Sequence, residues 1–185
     1  QTWFHAPDQP LWNLLADHIA AMDPALRKRL ALDMDQTHFW HFSHRLILHQ
    51  AQTAHRLRVL GSAGTPVTCY GNLKTDLPGV PGNLEPVPGH IPFGPELARV
   101  LARHTITVDI LNPGSIHGYS HKPMITFAAG GFTLVNRKRD FVAAFGDAGE
   151  AVSYDRDLGA KIDGFLTRPS YLREVGDAIR ETIRA

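Results

Sequence analysis

The stretch HKPMITFAAGGFTLVN, residues 121–136, holds the pattern that decides the fold. It begins as an apolar run with the character of a helix, ends in two glycines, and continues directly as the β-branched and apolar residues of a strand. Gly130 can adopt the left-handed backbone that stops a helix, and Gly131 allows the next strand to start close to the helix end. The stretch therefore predicts a helix that turns at once into a strand.

The same alternation of strands and helices continues on both sides of this stretch. Strands are predicted from runs of apolar and β-branched residues, and helices from apolar residues at helical spacing. Upstream, the predicted elements are a strand at 66–71, a Pro- and Gly-rich surface loop at 73–92 with one short strand at 84–88, a helix at 93–104 and a strand at 106–112. Downstream, they are a helix at 139–146, a strand at 151–155, and helices at 158–169 and 170–184.

This alternation, with its short connections, is typical of an α/β protein in which helices cover both faces of a parallel sheet. The first third of the chain instead has the pattern of helices, the last of which is predicted from about Thr37 to Leu60. We therefore expect a helical N-terminal segment, 1–62, that packs on or leads into an α/β domain, 63–185.

The composition narrows the classes of function. The chain has 185 residues, of which 43% are hydrophobic and 20% charged, which suits one domain with its own core. A formal net charge of +1 gives no electrostatic reason to expect a nucleic-acid partner. No apolar run approaches the roughly 18 residues of a membrane span. The single cysteine, Cys69, cannot form an internal disulfide, which favours a reducing compartment, and a cytoplasmic location is predicted.

Ligands of parallel α/β sheets bind at the carboxyl ends of the strands, so three junctions are candidate sites. They are the turn at Gly71 and Asn72, the loop 112–121, and the segment 136–140. The loop 112–121 is the richest in hydrogen-bonding side chains, and it enters a helix whose N–H groups and positive dipole end favour an anion such as phosphate. Lys122 adds a positive charge there. The predicted binding residues are Gly71, Asn72, Asn112, His117, Tyr119, Ser120, His121, Lys122, Gly130 and Gly131.

Other interpretations of the polar residues stay open beside this one. His117 and His121 could hydrogen-bond within their own loop, and the basic segment 137–139 is better explained as a solvated turn than as a phosphate site. Asp109 lies in the middle of a predicted strand, where it would face either a helix end or a ligand. The histidines at 38, 41 and 44 recur every third residue, but no cysteine accompanies them and aromatic residues fill the intervals. No metal and no cofactor are therefore expected.

Four stretches in order carry a resemblance to a known family. They are HRLRVLGSAGTPVTCYGN at 55–72, GPELARVLARHTITVDIL at 94–111, HKPMITFAAGGFTLVN at 121–136, and the closing helices from 139 to 179. Together they resemble the C-terminal nucleotide-sugar-binding domain of bacterial glycosyltransferases built from two Rossmann domains (GT-B), in particular the "glycosyl transferases group 1" domain of CgeB-like proteins. The family's Ala-(Ala/Cys)-Gly-Gly-Phe motif corresponds to residues 128–132.

The resemblance implies a Rossmann-like domain that holds the nucleoside diphosphate of a sugar donor. It places the phosphates near the N-terminus of the 121–131 helix and the ribose further along. The family's helix usually begins with an Arg, where this chain has Lys122, and carries a ribose-binding Glu, where this chain has Ile125. Lysine keeps the charge but not the bidentate geometry of arginine. The carboxylate is lost altogether.

Two hypotheses of different class follow from the resemblance and its departures. In the first, the chain is the donor-binding half of a larger glycosyltransferase, whose acceptor domain is separate because the first 55 residues are too short for a second Rossmann domain. In the second, the chain is a non-catalytic Rossmann-like interaction module that has lost donor binding, as Ile125 suggests. The N-terminal helices are then expected either to pack against the sheet or to mediate self-association.

Overall fold

A computed structural model describes residues 21, 23–25, 28, 49–71, 80–111 and 118–185. The chain divides into two compact units, one formed by 1–56 with 112–116 and the other by 57–111 with 117–185. In the first unit, the described residues include a local hydrogen bond in which the Ala25 N–H donates to Asp23 Oδ1 at 2.8 Å. Apart from residues 21, 23–25 and 28, the helices predicted before residue 49 lie outside the described residues. So do Asn72, Asn112, His117 and the histidines at 38, 41 and 44.

The described part of the chain alternates between strands and helices as the sequence predicts. In chain order the elements are α1 (His49–Gly61), β1 (Val67–Tyr70), β2 (Leu84–Val87), α2 (Pro95–Arg103), β3 (Thr107–Asp109), α3 (His121–Ala128), β4 (Thr133–Asn136), α4 (Arg139–Val152), β5 (Ser153–Tyr154), α5 (Leu158–Leu166) and α6 (Pro169–Arg184).

The strands pair in parallel, and they form two small sheets. β1 pairs with β2 in the register Val67 to Leu84, and β3, β4 and β5 form a three-stranded sheet in that order. Within the three-stranded sheet, Thr107 lies opposite Thr133 and Asn136 opposite Tyr154. Parallel strands require a crossover, and helices supply it between β3 and β4 and between β4 and β5. The mixed α/β class with parallel strands is therefore confirmed.

The core of the α/β unit lies around β4. Residues 133–135 of this central strand are all buried, and Leu134 and Val135 contribute its two apolar side chains to the core. Helix α6 is amphipathic, turns Val175 and Ile179 into the core, and packs against α3, α4 and α5. Aromatic side chains fill the space between these helices and the sheet. The fully buried large side chains include Phe127, Leu134, Phe141, Tyr154, Leu158 and Ile179.

The two glycines after α3 end the helix by a recognisable hydrogen-bond pattern. Gly130 has a φ of 86°, its N–H donates to the Phe127 carbonyl at 3.0 Å, and the Gly131 N–H donates to the Thr126 carbonyl at 2.9 Å. These two bonds form a Schellman motif. A side chain at Gly131 would place its Cβ 2.9 Å from the Leu101 carbonyl oxygen. The structure thus confirms both predicted reasons for the pair.

Helix α4 differs from the prediction of a helix at 139–146 followed by a strand at 151–155. It extends to Val152, although Gly146 interrupts it with a φ of 54° and a ψ of −135°. The reason lies after this break, where Gly149 and Val152 are both buried at a helical spacing of three, so that the residues near 150 form a buried helix face. The strand that follows, β5, retains only Ser153 and Tyr154.

Candidate functional site

The carboxyl ends of β3 and β4, together with the starts of α3 and α4, form a surface that we call the carboxyl edge. The chain beyond β3 bends toward β4, because the Leu111 N–H donates to Asn136 Oδ1 at 2.8 Å. Asp109 at the end of β3 is buried, and its backbone carbonyl accepts a hydrogen bond from the Tyr154 hydroxyl at 3.1 Å. These bonds join the ends of the three strands of the sheet.

The segment that enters α3 is attached to the first turns of α4. The Gly118 N–H donates to a carboxylate oxygen of Asp140. One residue further on, the Tyr119 ring packs edge-on against Phe141 and Phe145, with centroid distances of 5.4 and 6.1 Å. Tyr119 nevertheless remains 39% exposed. The segment is therefore held at two points while it presents an aromatic ring to solvent.

The start of α3 offers few backbone donors to a ligand. Ser120 caps the helix, since its Oγ accepts the Lys122 N–H at 3.1 Å. Pro123 has no N–H. Of the four N–H groups that a helix start leaves without partners in the helix, at most those of Ser120 and His121 thus remain for an anion. The side chains of His121 and Lys122 are exposed at the same place.

The charges around the carboxyl edge have both signs. Lys122 and Arg139 are exposed cations, and the Asp140 carboxylate lies between α4 and the segment before α3. Arg137 instead binds Glu150 through two nitrogens, at 3.2 and 3.1 Å. That ion pair supports the prediction that the basic segment 137–139 is a surface turn, at least for Arg137.

The structure brings together only some of the predicted binding residues. Tyr119, Ser120, His121 and Lys122 are consecutive at the start of α3. Gly130 and Gly131 follow the far end of this eight-residue helix, about 12 Å along its axis, where they serve the turn into β4.

Gly71 belongs to the two-stranded sheet and is not part of the carboxyl edge of β3 and β4. It follows Tyr70, whose hydroxyl forms a 2.8 Å hydrogen bond with His104 Nε2, just before β3 begins. The neighbouring Cys69 lies in β1, within the predicted strand 66–71, and is half-buried. Burial raises the pKa of its thiol, so a nucleophilic thiolate is disfavoured.

Ile125 lies at the position where the family resemblance places a ribose-binding carboxylate. It is partly buried on α3, between the buried side chains of Pro123 and Thr126. No residue of α3 is acidic. The start of this helix therefore has a cation for phosphate and no carboxylate for a ribose.

Two further residues lie at this edge, Asp140 and Phe93. Asp140 ends the candidate segment 136–140, but its contact with Gly118, 22 residues away, has no signal in the sequence. Phe93 is 70% exposed, and its ring lies 5.6 Å from the His121 ring in an edge-on arrangement. Its signal is an aromatic residue between Pro92 and Gly94 in a segment predicted as loop and helix start.

Among the residues that the structure describes, no group of three or more His, Cys, Asp or Glu could hold a metal ion. No helix in the same part of the chain has the length and apolar character needed to cross a bilayer.

Comparisons of the chain with protein-family models, with curated proteins and with solved structures find no match.

Proposed function

We propose that the α/β unit is a Rossmann-like domain that binds the nucleoside diphosphate of a sugar donor at the start of α3, as the donor-binding half of a glycosyltransferase. The observation that carries the proposal is the exposed Lys122 in the first turn of a capped helix at the carboxyl edge of a parallel sheet. Carboxyl ends of parallel strands and helix starts are the places where such folds bind phosphate.

The residues at this edge supply distinct interactions with a diphosphate. Lys122 contributes a full positive charge, and the N–H groups of Ser120 and His121 contribute the partial positive charge of the helix end. His121 and Ser120 can also donate hydrogen bonds from their side chains. In a complete enzyme, the same cation would stabilise the diphosphate as it leaves the sugar.

Binding is expected to be modest, because two features of the edge oppose it. Pro123 removes one helix N–H, and the Asp140 carboxylate both occupies the Gly118 N–H and repels an anion nearby. Ile125 offers no acceptor for the ribose hydroxyls. The proposal therefore assigns the phosphates to α3 and leaves the sugar and the acceptor to residues outside this helix.

The test is a thermal-shift and calorimetric titration of the chain with UDP, GDP and their sugars. At ten times the dissociation constant, a ligand stabilises the folded state by about 1.4 kcal/mol, which raises the melting temperature of a protein of this size by about 3–6 °C. We expect saturable stabilisation by the diphosphates. In Lys122→Ala the affinity should fall about tenfold, because a charged hydrogen bond to phosphate is lost.

Arg173→Ala is the matched control, since Arg173 is an exposed cation on α6, a helix outside the carboxyl edge. An equal loss of nucleotide affinity in Lys122→Ala and Arg173→Ala would show a general effect of net charge and would contradict a site at α3. Absence of any shift with millimolar nucleotide would also contradict the proposal.

Ile125 specifically favours a second candidate, a non-catalytic interaction module of the same fold. An aliphatic side chain at a position of this kind gives packing surface and no sugar contact. The titration separates the two functions, because a module that has lost donor binding gives no saturable response to any nucleotide.

A further inference from the structure

We propose that the exposed ring of Phe93, with His121 edge-on beside it, forms an aromatic platform on which the planar base of the nucleoside diphosphate stacks. This inference rests on the proposed function, because it assigns the base of the same ligand whose phosphates lie at Lys122. It assigns a new binding role to Phe93, a residue that lies 28 positions before His121 in the sequence.

The exposure of Phe93 is the first observation behind this assignment. Its side chain is 70% exposed, more than any other large hydrophobic side chain in the described part of the protein. Exposing an aromatic ring of this size forgoes the hydrophobic stabilisation that burial gives to other large side chains. The ring is therefore placed where it contributes little to folding and is open to a ligand.

The position of the ring is the second observation. Its centroid lies 5.6 Å from the ring of His121, the first residue of α3, and the two planes make an angle of 62°. Lys122 is the next residue along the chain. The two rings therefore lie at the start of the same helix that carries Lys122.

The backbone around Phe93 limits the freedom of this ring. Pro92 precedes it, and Gly94 follows with a φ of 132°, a value that only glycine adopts readily. Pro95 then starts α2, and α2 packs against α3. Because Pro92 and Pro95 each fix a backbone φ near this ring, a stacked base would cost less conformational entropy than it would on a free loop.

Stacking on a phenyl ring has recognisable consequences for specificity. Every base has a π face, so stacking contributes affinity without selecting strongly among bases. We therefore expect UDP, GDP and ADP to bind within several-fold of one another. We expect inorganic pyrophosphate, which has no base, to bind more weakly than all three.

The test compares UDP with inorganic pyrophosphate by calorimetry on the full chain and on Phe93→Ala. Removing the ring should lower the affinity for UDP at least fivefold, because UDP carries a base that stacks on it. The affinity for pyrophosphate, which has no base, should stay within twofold of its original value. Phe93→Tyr, which keeps a ring, should restore UDP binding. Leu166→Ala is the matched control, since Leu166 is an exposed apolar side chain on α5, and it should change neither ligand.

The two ligands separate failure of the platform from failure of the proposed function. If UDP and pyrophosphate both bind, and Phe93→Ala lowers the affinity for neither or for both equally, the platform is wrong while the phosphate site stands. If neither ligand binds the folded chain at millimolar concentration, the phosphate site and the platform are both wrong. A UDP affinity no better than that of pyrophosphate would overturn the platform as well.

Discussion

Gly130 and Gly131 are adjacent, yet a side chain would meet a different obstacle at each position. Gly130 has open space around its Cβ position but a φ of 86°, so the obstacle is the backbone. Gly131 has an ordinary φ, but a Cβ would lie 2.9 Å from the Leu101 carbonyl oxygen and 3.0 Å from Thr126 Cγ2. The backbone strain at position 130 depends on which residue replaces glycine. The steric overlap at position 131 affects every residue that has a Cβ.

This difference leads to a prediction for substitutions at the two glycines. Gly130→Ala should lower the free energy of unfolding by about 1–2 kcal/mol, and Gly130→Asn by less, because asparagine tolerates the left-handed region. Gly131→Ala should cost about 1–3 kcal/mol through overpacking against the Leu101 backbone, and Gly131→Asn at least as much. Urea denaturation of the four variants measures these values.

Gly82→Ala is the control for the effect of a methyl group on the unfolded chain. Gly82 has no neighbour within 4 Å of its Cβ position and no positive φ, so alanine there should be neutral or slightly stabilising. An asparagine at 130 that costs as much as alanine would contradict the assignment of strain to the backbone at that residue.

At the scale of elements, the helices with periodic apolar residues could be predicted from the sequence, whereas the pairing of the strands into sheets could not. Helices α2, α3, α5 and α6 occur where apolar residues recur at helical spacing, and their bounds agree within a few residues. The end of α4 was missed because its apolar residues near 150 suit a strand or a buried helix face equally well. The division of the strands into two sheets depends on pairing between distant segments, which no local pattern encodes.

The candidate site divides in the same way. The start of α3 was predictable, since residues 119–122 are consecutive and enter the predicted helix directly. Asp140 lies in the candidate segment 136–140, but its contact with Gly118 arises only from packing between distant segments, and so does the contact of Phe93 with His121. Local chemistry is thus visible in the sequence, whereas the groups that complete a site from other elements are not.

The contact between Asp140 and Gly118 predicts how the segment before α3 is ordered. Asp140→Ala removes the acceptor of the Gly118 N–H and a carboxylate that favours the first turn of α4, so the amide of Gly118 should exchange with solvent faster. Asp140→Asn keeps an oxygen acceptor and should leave exchange closer to that of the unmodified chain. Hydrogen exchange followed by NMR on the Gly118 amide measures the effect.

Asp147→Ala is the control, because Asp147 is an exposed acid further along α4. It should leave the Gly118 amide unchanged. Equal exchange in the chain with and without the Asp140 carboxyl group would mean that this bond does not hold the segment to α4.

At the scale of the whole molecule, Tyr154 connects the core to all three strands of the larger sheet. It lies in β5, is 1% exposed, pairs with Asn136 of β4, and its hydroxyl donates to the Asp109 carbonyl of β3. Burial, and then the negative charge of Asp109, raise the pKa of the Tyr154 phenol above its usual value. The phenol therefore keeps its proton in the folded state at a pH where the unfolded chain loses it.

This shift predicts how stability depends on alkaline pH. Below pH about 10 both states hold the proton, so the full contribution of the neutral phenol is present. Above that pH the unfolded state binds fewer protons than the folded state, and the free energy of unfolding falls by up to about 1.4 kcal/mol per pH unit from this group. Tyr154→Phe cannot ionise, so its stability should fall less steeply between pH 10 and pH 11.5.

Urea denaturation of both proteins from pH 8 to pH 11.5 separates this effect from the loss of a hydrogen bond. At pH 8, Tyr154→Phe should be less stable by about 1 kcal/mol, because the bond to the Asp109 carbonyl is gone. If ionisation of Tyr154 contributes to alkaline unfolding, that difference narrows as the pH rises and can change sign. If the free energies of unfolding of the two proteins fall with the same slope up to pH 11.5, the core does not hold the phenol neutral. Their slopes differ only if folded Tyr154 keeps a proton that the unfolded chain has lost.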